Sequence, residues 1–103
     1  MYKLNFFVPG SHLEIVKAAL FEAGAGKIGD YDSCCWQTLG TGQFRALEGS
    51  NPYIGNQGAV EQVEEYKVEL VCEDALIKAI IVALKASHPY EEPAYDVFRL
   101  VDF

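Results

Sequence analysis

Val60-Glu61-Gln62-Val63-Glu64-Glu65-Tyr66-Lys67-Val68-Glu69-Leu70-Val71-Cys72, followed by Glu73-Asp74 and an apolar run from Ala75 to Ala86, sets the architecture of this chain. In its second half Tyr66, Val68, Leu70 and Cys72 alternate with Lys67, Glu69 and Val71, the period of a strand with one buried face. The run after it has Leu76, Ile77, Ile80, Ile81, Val82 and Leu84, apolar nearly all round, which predicts a well-buried helix with Glu73-Asp74 favouring its N-terminus. His88-Pro89 ends that helix, and Tyr95 to Val101 reads as a last strand.

The same strand-to-helix pattern opens the chain. Tyr2 to Val8 alternates, Pro9-Gly10 stops it, and Ser11-His12-Leu13-Glu14 fits a capping box. Leu13, Val16, Leu20 and Ala23 form an apolar stripe broadened by Ile15 and Ala19, with Gly24 as the C-cap. Between the two units, Tyr31 to Leu39 and Gln43 to Leu47 read as two short strands joined in a hairpin at Gly40-Thr41-Gly42. Glu48 to Gly58 is the longest stretch of turn chemistry, hence a loop, and loops of this length often carry function. The order predicts one α+β domain over 1–103, a ferredoxin-like split βαβ sandwich with an extra hairpin strand. Both helices then lie on one face of an antiparallel sheet. The other face lacks cover, so identical sheets are expected to pack in an oligomer.

Composition narrows the partners. Net charge is -7 with only 8 Lys and Arg, which disfavours nucleic acid and anionic membrane surfaces. The three cysteines, Cys34, Cys35 and Cys72, lack metal-ligand spacing and read as reduced thiols, with Cys34 and Cys35 in a strand. The N-terminus has no signal-peptide layout and no apolar run approaches a membrane span, so a cytoplasmic protein is expected.

Gly24-Ala25-Gly26-Lys27-Ile28-Gly29 matches G-x-G-x-x-G, yet here a helix precedes and a strand follows, the reverse of dinucleotide-binding order. The glycines are therefore assigned to a C-cap and a tight turn. His88, Glu91, Glu92 and Asp96 are the best candidates for a polar ligand or a metal, because imidazole plus carboxylate suits divalent ions. The structural alternative is that His88 caps the preceding helix while the glutamates pair across an interface. His12, in the first turn of the first helix, is a further candidate; Trp36, Phe44 and Tyr53 read as core or subunit contacts, with ligand stacking behind. Glu61, Val63 and Glu65 fall on one side of a strand and read as a solvated edge.

His88-Pro89-Tyr90-Glu91-Glu92-Pro93-Ala94-Tyr95-Asp96, with Gly24 to Tyr31, Gly40 to Arg45 and Pro52-Tyr53-Ile54-Gly55, closely resembles the YqfO-type, or NGG-interacting-factor, family of dinuclear-metal proteins. The match is to the domain inserted in the middle of its members and to stand-alone relatives of that domain. The resemblance implies a domain similar to CutA and PII signalling proteins, assembled as a homotrimer through its sheets. It also implies that the two-metal centre belongs to flanking halves for which this chain has no room, so no ligand of that centre falls on a residue here. The expectation is a non-enzymatic, oligomeric binding or regulatory domain. A divalent metal or small ligand at a subunit boundary would be held by His88, Glu91 and Glu92 with His12 and Tyr53, the metal by His88 and Glu92. The alternatives are a structural or interaction module for a dinuclear-metal partner protein, and a hydrolase-type enzyme moving protons through His88 and Glu92.

Overall fold

Strand β1 (Tyr2–Pro9) lies at the centre of the sheet in the computed structural model, which describes residues 1–103. A 3-10 turn (Gly10–His12) leads into α1 (Leu13–Glu22), and β2 (Trp36–Arg45), β3 (Val60–Cys72), α2 (Ile77–Ser87) and β4 (Tyr95–Arg99) follow. The sheet is antiparallel in the order β2-β3-β1-β4, and the fold is the α+β, ferredoxin-like arrangement expected. Register places Phe6 of β1 between Val68 of β3 and Tyr95 of β4. Leu4, Phe6 and Val8 thus share one face with Val68, Leu70 and Cys72, and that face meets Val16 and Leu20 of α1 and Ile80 and Leu84 of α2.

Four local expectations are corrected. The hairpin at Gly40-Thr41-Gly42 does not form. Those residues run through the middle of a single ten-residue β2, paired with Glu65, Glu64 and Val63. The long β3 supplies a partner for every residue of β2, and neither Gly40 nor Gly42 takes the positive φ a tight turn would use. The capping box is also absent. His12, not Ser11, is the N-cap of α1, and the Ser11 hydroxyl bonds the neighbouring His12 ring (2.9 Å) because the 3-10 turn has displaced it from the cap. Cys34 and Cys35 precede β2 rather than lying in it, in a segment held by the Cys34 N–H donating to the Gly26 carbonyl. Finally, α2 is no more buried than α1. Only Ile80 and Leu84 are fully sequestered, while Val82 and, on α1, Ile15 face solvent, since each helix presents just one stripe to the sheet.

The three glycines of the G-x-G-x-x-G run are a structural device. Gly24, Gly26 and Gly29 have φ of 104°, 76° and 57°, which carry the chain out of α1 and around toward β2. Gly26 is the tightest. Its N–H donates to Val71 (2.8 Å), its carbonyl accepts from Cys34 (2.9 Å), and a Cβ there would stand 2.6 Å from the Cys34 carbonyl oxygen. Gly26→Ala is therefore expected to destabilise the domain by about 2 kcal/mol, from the left-handed backbone and the clash together. Urea unfolding checks this; a variant within about 0.5 kcal/mol of the parent would refute the assignment.

The β2–β3 ribbon extends past the helices, giving a molecule of 46 × 25 × 24 Å. Trp36 (66% exposed) and Phe98 (55%) lie on the sheet face away from the helices, and Leu39 (54%) stands on the other side of the projecting ribbon. On the open face Asn5 is only 8% exposed, and its side-chain oxygen has no hydrogen-bond partner. No helix is long and apolar enough to cross a membrane.

Candidate functional site

The imidazole of His88 holds the molecule together at the end of α2. Its backbone N–H closes the helix on the Leu84 carbonyl (3.0 Å), and its ring reaches across to β1. Nδ1 accepts the Tyr90 N–H (3.1 Å), so the proton resides on Nε2, which donates to the Phe7 carbonyl (2.6 Å). Burial, before any other influence, holds its pKa below the usual 6.5; the Phe7 bond and the Glu65 charge pull upward, and His12 pulls downward. Both ring nitrogens are engaged.

With His88 as hinge, Tyr90 turns back over the sheet. Its ring packs 4.9 Å from His88, 6.3 Å from Phe44 on β2 and 6.3 Å from Tyr53 in the loop between β2 and β3. Tyr53 is met from outside by the His12 ring, edge-on at 6.0 Å. The loop is tied into shape. The Gln57 amide donates to the Ser50 carbonyl (2.8 Å), the Ser50 hydroxyl to Leu47 (2.6 Å), and the Asn51 N–H to the Glu91 carboxylate (2.8 Å). These ties enclose a cleft of about 500 Å³, with Phe7, Phe44, Tyr53 and Tyr90 as its aromatic walls and Glu65, Glu91 and Glu92 as its acids. A groove of about 430 Å³ continues from it along β2, bordered by Lys67 and Glu69.

Of the five residues expected to hold a ligand, Tyr53, Glu91 and Glu92 line this cleft. His12 and His88 do not; they brace Tyr53 and Tyr90 from behind. Asp96, the further acid of the His88 segment, lies exposed on β4 outside the cleft. Glu92 makes neither a hydrogen bond nor an ion pair with His88, and no group of three or more His, Cys, Asp or Glu side chains is placed to hold a metal ion. A metal centre on His88 and Glu92 does not fit these residues, because the histidine's lone pair is already taken by the Tyr90 N–H. Glu65, read as a solvated edge, is corrected to a half-buried cleft residue. Its side chain lies on Gly42, where a Cβ would come within 1.8 Å of Oε1. A glycine inside a strand often marks such close approach. That was the available signal, but it needed the register of β2 on β3 to be read.

Tyr90 is a further residue of the cleft, inside the His88 to Asp96 segment. Its hydroxyl is buried beside the Glu65 carboxylate, without a hydrogen bond of good geometry. Burial, then the neighbouring Glu65 carboxylate, push the phenol far above its ordinary pKa, so it stays protonated. Burial pushes the Cys72 thiol up to about 11, and Cys72 sits in the core.

No protein-family model matches the chain. It is 52% identical over 99 residues to a GTP cyclohydrolase 1 type 2 homolog of Mycobacterium tuberculosis, covering 96% of this chain and 26% of that protein. The homologue from Halalkalibacterium halodurans is 48% identical over 102 residues, covering 99% and 27%. A solved Bacillus cereus protein related to NIF3 superposes with a TM-score of 0.85 at 42% identity, over 98% of this chain and 26% of the other. The chain is similar to one segment of these longer proteins. It spans about a quarter of the curated relatives it matches. CutA1 from Pyrococcus horikoshii also superposes, at a TM-score of 0.69 and 19% identity over 100% of this chain and 86% of CutA1, which establishes a shared fold.

Proposed function

We propose that this is a YqfO-type domain acting as a non-enzymatic, oligomeric binding or regulatory module that takes a small organic ligand in the Tyr53–Tyr90 cleft. The observation that carries this reading is the cleft itself: it has the size of a small-molecule site, and three separate chain segments hold its aromatic walls in place. The engaged nitrogens of His88 and the buried thiol of Cys72 weigh against catalysis. The relatives carry a name that refers to GTP, but no lysine or arginine lines this cleft to receive a triphosphate, so that reaction is not assigned to this segment. The three free thiols accord with a cytoplasmic setting.

Assembly is the second half of the proposal. Trp36, Phe98 and the unpartnered Asn5 oxygen on the open face support burial against further copies of the chain, and the family resemblance supplies the number, a trimer. Light scattering is expected to give the trimer mass, and a monomer would overturn the assembly. For the site, a thermal-shift screen of small organic compounds should yield a stabiliser whose effect Tyr53→Ala with Glu92→Ala abolishes. An effect that survives both changes would exclude the cleft.

A further inference from the structure

We propose that the cleft selects an organic cation, specifically a ligand with an alkylated ammonium head, an inference that rests on the cleft being a ligand site. The walls and the charges point to the same chemistry. Phe44 and Tyr53 each stand 6.3 Å from the Tyr90 ring on one side of the space, and Phe7 forms another part of its lining. Aromatic faces carry negative quadrupole potential and attract a cation whose hydration shell is weak, which describes a methylated ammonium better than a metal ion.

The three carboxylates of the lining add to this potential, because none is neutralised. Glu65, Glu91 and Glu92 take part in no ion pair, and the lining contains no lysine, arginine or histidine. Lys67 borders the adjoining groove and pairs with none of them. Glu91 spends one oxygen on the Asn51 N–H, and the other has no hydrogen-bond partner. A chain of net charge -7 reinforces the field around such a site. An anion would face the acids with no counter-charge, and a bare divalent metal would lack the group of three ligating side chains it needs. An alkylammonium head instead meets aromatic side chains together with carboxylates that no cation of this chain neutralises.

Titration of the intact protein by two-dimensional NMR, with choline, its neutral carbon isostere 3,3-dimethyl-1-butanol and inorganic phosphate as probes, tests this. Choline is expected to bind about tenfold tighter than the isostere at low salt, to weaken as salt rises, and to shift Tyr53, Phe44 and Tyr90 resonances. Tyr53→Leu and Glu65→Gln should each lower choline affinity several-fold, whereas Glu73→Gln, an exposed acid outside the lining, should leave it unchanged. The fold of each variant is checked by its amide spectrum. Equal binding of choline and the isostere would overturn the charge preference and leave the cleft as a ligand site. Tighter binding of phosphate would overturn it also. Shifts confined to residues outside the lining, or no binding by any probe, would remove both this inference and the small-ligand reading beneath it.

Discussion

Alanine at position 88 is expected to destabilise the domain by about 3 kcal/mol, although His88 resembles a catalytic or metal-binding residue in the sequence. The side chain is 6% exposed and satisfies two backbone groups at once, the Phe7 carbonyl through Nε2–H and the Tyr90 N–H through Nδ1. Truncation leaves both without partners, at about 1–3 kcal/mol for each orphaned group, and opens space beneath the Tyr90 ring. Urea unfolding should show a lower midpoint with an unchanged slope. A loss below about 1 kcal/mol would show that water replaces the imidazole and that the histidine is not structural.

The same residue predicts a pH dependence. Burial keeps the folded imidazole neutral below its usual 6.5, and protonating Nδ1 would remove the acceptor for Tyr90. Between the unfolded value and the lower folded one, the unfolded chain binds more protons, so stability rises with pH across that window. His88's contribution is complete above 6.5 and is lost as pH falls toward the folded value. His88→Ala should flatten this part of the stability curve. A parent protein whose stability stays level from neutral pH down to the carboxylate range would contradict the assigned tautomer.

Phe6→Ala is expected to cost more, about 3–5 kcal/mol. Phe6 is fully buried on the central strand, registered with Val68 on one side and Tyr95 on the other, in a core shared by both helices. The residues around it are fixed in the sheet or on the two helices, which limits collapse into the space. Because a domain of this size has a total stability of roughly 5–15 kcal/mol, the loss should lower Tm by more than about 10 °C. Calorimetry gives the answer; a change of only a few degrees would mean that the core repacks around the missing ring.

The elements that were readable along the chain were those with a local cause. The alternation of Tyr66 to Cys72 reappears as the core-facing side of β3 and Tyr2 to Val8 as β1, while Gly24, expected as the C-cap of α1, stands one residue beyond the Ala23 cap with the positive φ that ends the helix. Where a neighbour decides the outcome, the local pattern misleads. Gly40-Thr41-Gly42 has turn composition but is extended because β3 continues opposite it. Val82 and Ile15 are apolar but exposed because each helix lies on the sheet by one stripe.

The site divides along the same line. Local chemistry alone marked the His88 to Asp96 turn, Glu91, Glu92 and Tyr53 as unusual, since prolines, paired acids and loop aromatics stand out without any partner. Local periodicity likewise determined the strands and helices, their order and hence the α+β class. Only the tertiary structure decided that His88 is a strut, that Glu65 and Tyr90 belong to a cleft, and that Glu91 anchors Asn51 from 40 positions away. The physical reason is range. Backbone period and turn preference act between near neighbours in the chain, whereas a hydrogen bond or a ring contact depends on which segments the closed sheet brings together.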